Sequence, residues 1–171
     1  MEFNTLSQAK RADETGAVVC DRAAIEWLLQ HRDHALFLHT ATVQGWHVNA
    51  QACWDAAHPH LQGHFPGLPI VPGVFLVEAA AQAVGVVLGT VSKEEGGDEV
   101  PEQMPVLAGL KACRLHQSVR PGEMVWFDVD VRPVMEGKYY EATAIARDAG
   151  GIKILNVELN VAMVSRSLAV A

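Results

Sequence analysis

Apolar residues fall along this chain in three regimes. Between Ala35 and Ala52 they alternate imperfectly, with Leu36, Leu38 and Val43 apolar, which is the period of half-buried strands. Gln44-Gly45 interrupts that run, so two strands turned there are predicted. From Val71 to Val91 the apolar residues are nearly continuous, broken by Glu78 and Gln82. This length predicts one long helix, apolar all round, which Pro72 can open because a first-turn residue needs no amide donor. Four strand-like segments follow the helix, of which Val125, Phe127, Val129 and Val131 alternate most cleanly, with turns at Gly122, Gly137 and Gly150-Gly151. In the last segment Ile152 and Ile154 change parity to Leu155, Val157, Leu159, Val161 and Met163, which predicts a bulge near Ile154.

The flanks are polar. Residues 1–17 read as a flexible N-terminus, and residues 166–171 as a short C-terminal tail. Asp21 is a candidate cap for a short helix running to about Gln30, with Ala23, Ala24, Trp27 and Leu28 on one side. The acidic, turn-forming stretch 92–105 reads as a solvated connection out of the long helix. A strand pair, one long helix and then a strand meander make a single α+β domain over 18–165. A helix apolar all round has to be covered all round, so the antiparallel sheet wraps it, an arrangement known as the hotdog fold.

Composition agrees with one domain: 171 residues, half of them apolar, suffice for a real core. The formal net charge of -7 argues against nucleic acid as a partner. Cys20, Cys53 and Cys113 are far apart, odd in number and without C-x-x-C spacing, so neither a disulfide framework nor a structural zinc site is expected. The N-terminal residues hold no apolar run of signal-peptide length, and Glu78 in mid-helix argues for a buried core helix over a membrane span. The expectation is a cytoplasmic protein with no membrane partner.

Chemistry concentrates in GHFPGLPIVPGVFLVEAAAQA, residues 63–83. Its ionisable groups are His64 and Glu78. Glu78 and Gln82 share a helix face, so Gln82 can orient the acid. Desolvation in an apolar wall disfavours the carboxylate, from which a protonated, proton-donating Glu78 is expected. Gly73 lies at the helix start, where free amides favour developing negative charge and a missing side chain admits a carbonyl. Removing water from a 3-hydroxyacyl thioester requires a base for the C2 proton, donors for the thioester oxygen and an acid for the C3 hydroxyl. His64, the Gly73 amide and Glu78 supply these parts in that order. Phe65, Val74 and Gln82 complete the expected substrate-binding set.

Gly63-His64-Phe65-Pro66-Gly67, Pro69, Pro72-Gly73-Val74, Glu78-Ala79 and Ala81-Gln82 together resemble the motif of FabZ-type (3R)-hydroxyacyl-[acyl-carrier-protein] dehydratases. Weaker resemblance runs through His31-Arg32, Phe37-Leu38, Arg114, Val119 and Pro121-Gly122-Glu123, and covers about residues 25–164. The resemblance implies a hydro-lyase of the hotdog fold with His64 and Glu78 as catalytic residues and no metal or organic cofactor. It also implies a carrier-borne phosphopantetheine thioester as substrate, and a homodimer pairing His64 of one chain with Glu78 of the other, often as a trimer of dimers. The sister A-type enzymes carry Asp at the helix position, so Glu78 favours the Z-type. Departures occur at His34, at His39-Thr40 and at His116-Gln117, where the family has a Pro, an Asp-Arg pair and a basic pair. They leave open a polyketide-like pathway in place of fatty-acid synthesis.

Other readings compete. His58, His60 and His64 form an H-x-H-x3-H pattern suggestive of zinc, but no Asp or Glu lies between them. A hotdog thioesterase would bind the same thioester without needing the His64 loop, and a non-catalytic acyl-binding subunit would not need both His64 and Glu78. His31, His34, His39 and His47 read as structural or solvent-facing, and Trp27, Trp46, Trp54 and Trp126 as packing residues. Lys111, Arg114 and Arg120 lie in an acid-free stretch, 111–120, and are candidates for docking an acidic carrier protein.

Overall fold

The computed structural model describes residues 11–12, 16–94, 103–135, 137–165 and 167. Strands β1 (Arg11–Ala12) and β2 (Val18–Cys20) precede helix α1 (Arg22–Leu28). Then come β3 (Leu38–Gln44), β4 (His47–Ala52), the long helix α2 (Gly73–Glu94), β5 (Gln103–Leu115), β6 (Val125–Met135), β7 (Tyr139–Arg147) and β8 (Lys153–Ser165). The strands form one antiparallel sheet in the order β1-β2-β3-β4-β6-β7-β8-β5. The expected hotdog is observed: α2 crosses between β4 and β5 and packs in the curve of the sheet.

Register explains how the sheet accepts the helix. The rows Val43-Val48-Val129-Ala144-Val157 and Ala41-Ala50-Phe127-Ala146-Leu155 run straight across β3, β4, β6, β7 and β8. Every member is buried. Alanines in these rows leave room for a helix, and α2 answers with Ala79, Ala80 and Ala83, each at 0% exposure. Close approach also dictates Gly85, where an added Cβ would lie 2.7 Å from Leu29 Cδ2 beyond α1. Asp21 caps α1 as expected, its carboxylate accepting from the Ala24 amide at 2.9 Å. The α2 stretch Gly73–Ser92 is long and apolar enough to cross a membrane by length and composition, but 67% of that window is buried inside the protein.

The expected bulge is present. Ala146 pairs with Leu155 and Arg147 with Lys153, which leaves Ile154 as the extra residue, so Ile154 and Leu155 both turn inward. Other boundaries differ. The helix starts at Gly73, one residue after the expected Pro72, whose carbonyl instead accepts from Phe75 N–H at 2.9 Å. It runs on to Glu94, so the connection expected over 92–105 is shorter, and residues 95–102 lie outside the described residues. Arg11–Ala12 pairs with Val18-Val19, within the stretch read as flexible. Residues 1–10 and 13–15, and all of the tail except Ser167, lie outside the described residues.

Candidate active site

His64 sits on a miniature hairpin that its own sequence dictates. Phe65-Pro66-Gly67-Leu68 closes a tight turn through Leu68 N–H to Phe65 O at 3.0 Å, with Gly67 at φ +79°. Proline followed by glycine is the sequence that a type II turn demands. The two arms then meet at His64 and Ile70: Ile70 N–H donates to His64 O at 3.0 Å, and His64 Nδ1 lies 3.1 Å from Ile70 O. A carbonyl can only accept, so Nδ1 carries the hydrogen and Nε2 presents a free lone pair. Phe65 stacks on the imidazole with ring centroids 4.4 Å apart. Val71 N–H to Val119 O, at 2.8 Å, ties the hairpin's exit to the connection between β5 and β6.

Glu78 lies one turn into α2 and belongs to a different hydrogen-bonded set. Gln82 Nε2 donates to Glu78 Oε1 at 2.9 Å and to Ala35 O at 2.7 Å, while Gln82 Oε1 accepts from Phe37 N–H at 2.9 Å. Gln82 therefore orients the acid, as expected. It is 2% exposed, and its amide is engaged by Glu78, Ala35 and Phe37. Gln82→Ala leaves the buried Phe37 amide without its partner and releases the Ala35 carbonyl. The expected loss is about 1–3 kcal/mol of folding stability, read as a lower melting temperature.

The second donor on Glu78 was not anticipated. His31 Nε2 lies 3.2 Å from the same Oε1. This corrects both the structural reading of His31 and the expectation of a protonated Glu78. Burial raises the carboxyl pKa, but hydrogen bonds from His31 and Gln82 and the His31 charge outweigh it, and the net shift is downward. The balance at Glu78 thus favours the carboxylate over the protonated acid.

The remaining expected residues separate. Gly73 and Val74 occupy the first turn of α2, where amides have no acceptor within the helix. Val74 is 71% exposed and Phe65, stacked on His64, 55%. The space over Gly73 is taken by Leu115, whose Cδ1 would lie 2.3 Å from an added Cβ, so glycine here also serves packing against β5. His58 is buried, and its two ring nitrogens face backbone, Nδ1 accepting from His60 N–H at 3.3 Å and Nε2 at 3.2 Å from His34 O. It thus braces the loop ahead of His64, and neither nitrogen is turned to a metal shared with His60 and His64. Among the described residues the three-ligand grouping is instead His47, Asp128 and Asp130, on the outer sheet face. Lys111 pairs with Glu141, which Arg132 also holds, and these cations keep the Glu141 carboxyl below its ordinary pKa. Lys111 thus already has an acidic partner on β7. Arg114 and Arg120 are exposed and form no ion pair among the described residues.

His64 and Glu78 do not touch through any hydrogen bond of the single chain. Comparison with known proteins places this arrangement. The FabA-like domain family matches residues 38–155. A 3-hydroxyacyl-[acyl-carrier-protein] dehydratase FabZ of Anaeromyxobacter dehalogenans is 32% identical over 136 residues, covering 78% of this chain and 85% of that protein. The chain belongs to the FabZ-type dehydratase family. Solved structures bear out the fold. A chain of the dehydratase heterocomplex ApeI:P from Xenorhabdus doucetiae superposes with TM-score 0.69 at 20% identity, covering 85% of this chain and 94% of that one. A hypothetical thioesterase with coenzyme A from Streptococcus pneumoniae superposes with TM-score 0.52 at 7% identity, covering 72% and 82%. Dehydratases and thioesterases share this architecture, so within the FabZ-type family the His64 hairpin and the Glu78 helix carry the functional argument.

Proposed function

We propose that the protein is a hydro-lyase that converts a (3R)-3-hydroxyacyl-[acyl-carrier-protein] to the trans-2-enoyl thioester, at sites shared between two copies of the chain. The observation that carries this reading is the His64 ring, whose Nδ1 is held by the Ile70 carbonyl so that Nε2 presents a lone pair; the Glu78 carboxylate oriented by Gln82 on α2 supports it. His64 Nε2 takes the C2 proton, and the C2–H electron pair passes into the thioester as an enolate. The Gly73 and Val74 amides and the helix dipole stabilise the enolate oxygen. Return of that pair forms the C2=C3 bond and breaks C3–O. The departing hydroxyl takes the proton held by His64 and leaves as water, which restores the base. Glu78, as the carboxylate, accepts the hydrogen bond of the C3 hydroxyl and aligns it for departure. A thioesterase reading leaves the His64 hairpin without a task.

The homodimer rests on β5. Leu107, Leu110 and Leu115 pair with the buried Val161, Leu159 and Leu155 and so face inward, yet they are 42%, 49% and 49% exposed. β5 ends the sheet, and no described strand pairs with its outer edge. A long edge strand with an apolar stripe is a template for another copy. Such a dimer brings a second His64 hairpin to each Glu78 and is the unit from which a trimer of dimers is assembled. The cytoplasm is the compartment in which carrier-borne intermediates and three free cysteines belong together. Fatty-acid and polyketide-like pathways supply the same class of substrate.

A panel of 3-hydroxyacyl thioesters on carrier protein, followed for loss of water by mass spectrometry, tests the activity, and turnover of none of them overturns it. Arg114 and Arg120 remain the proposed carrier contacts on a chain whose net charge of -7 repels an acidic partner. Arg114→Glu with Arg120→Glu is expected to raise the apparent KM for carrier-borne substrate severalfold and to leave a short pantetheine thioester little changed. Equal loss on both substrates sends the search for the carrier contact elsewhere.

A further inference from the structure

We propose that His31 is a positioning residue of this site: its Nε2–H and the Gln82 amide together fill Oε1 of Glu78, so that Oε2 is the oxygen turned to substrate. The inference rests on the reading of Glu78 as the carboxylate that receives the C3 hydroxyl. His31 Nε2 and Gln82 Nε2 lie 3.2 and 2.9 Å from the same oxygen. His31 Nδ1 is buried with no hydrogen-bond partner among the described residues. A hydrogen on Nδ1 would go unsatisfied, so the neutral ring carries its hydrogen at Nε2, the nitrogen that lies against Glu78.

The ring is held by a strap rather than by chance. Arg32 Nη1 donates to Leu29 O and His31 O at 2.8 and 2.7 Å. Arg22 Nη1 donates to Leu36 O and Leu38 O at 3.0 and 2.9 Å, and Gln82 grips Ala35 and Phe37 between them. The strap residues that carry His31 are thus bonded to the same glutamine that orients Glu78. Two donors on one oxygen favour the charged form and leave the other oxygen as acceptor. Among the described residues, His31 and Gln82 are the side chains that act on the Glu78 charge. In the dimer the partner's copy of the His64 hairpin is the remaining titratable neighbour.

The test reads the carboxyl directly. In protein carrying carbon-13 in its glutamate carboxyls, the Glu78 signal, assigned by its absence from Glu78→Gln, is titrated in wild type, His31→Leu and His31→Gln. Loss of one donor in His31→Leu is expected to raise the midpoint by about half to one pH unit, and His31→Gln, which keeps a donor, to hold it near wild type. The acid limb of kcat moves with the midpoint, and kcat falls about tenfold while KM for a pantetheine substrate changes little. Should His31→Leu not fold, nitrogen-15 spectra of the wild-type ring decide, with hydrogen expected on Nε2. An unmoved midpoint in His31→Leu, or a wild-type ring with a bare Nε2, overturns the role. The carboxyl titrations and the ring spectra need no substrate, so a wild-type protein without dehydratase activity would sink the functional reading while these measurements still decide His31.

Discussion

His64→Ala and Glu78→Gln are each expected to leave a folded dimer whose dehydration rate is lower by about a hundredfold or more, the usual scale for a lost acid or base. In His64→Ala the Ile70 carbonyl loses its ring partner and no lone pair remains to take the C2 proton. In Glu78→Gln the geometry is more telling. His31 and Gln82 are donors, so the new amide must keep its oxygen toward them. Its NH2 then points at substrate, and an acceptor has become a donor. Because the two groups belong to separate hydrogen-bonded sets, the sharper form of the experiment mixes the inactive variants. A heterodimer then holds one site with both residues mutated and one with both intact, and activity returns to about half of wild type per exchanged dimer, measured after subunit exchange is verified by mass. No recovery after proven exchange would place both residues of a site in one chain.

Leu110→Arg is expected to produce a monomer with activity near background. Leu110 points to the inner face opposite Leu159, on the strand that ends the sheet, and is half exposed in the single chain. In a symmetric interface each substitution appears twice, so two unpaired guanidinium groups are driven into an apolar seam at a cost of several kcal/mol. Under the proposed shared site, activity is expected to fall with association. Sedimentation at low micromolar concentration, run beside the dehydration assay, checks both halves. A fully active monomer contradicts the shared site.

Much of this was legible in the sequence where the signal is periodic or local. The long helix announces itself by composition, and β6 by clean alternation. The parity change at Ile154 marks the bulge, because the side-chain period of a strand is two and an extra residue must show. The hairpin under His64 went unpredicted although it is local, and Pro66-Gly67 is the signal that could have found it. What stayed hidden depends on contacts between distant segments. β2 spans three residues and has no room for a period. Glu78 was expected to be protonated because the sequence displays the apolar wall of its helix and not the donor that arrives from His31. Lys111 looked unpaired in a stretch free of acids, but its partner Glu141 comes across the sheet. Gln82 looked available to substrate until the backbone of Ala35 and Phe37 was seen to consume it.

The two halves of the site sit on elements of unequal depth. Glu78 rides on α2, whose alanines are sealed in the sheet, whereas His64 rides on a loop where Phe65, Pro66, Gly67, Leu68 and Pro69 are all exposed. Local opening of that loop therefore requires far less free energy than release of the helix. Under mild heat or denaturant His64, the proposed base, is expected to depart while Glu78 keeps its place, so that inactivation precedes loss of the fold. A substrate that bridges the two elements must in turn resist that opening, so saturation with acyl ligand protects amides of the loop more than those of the helix.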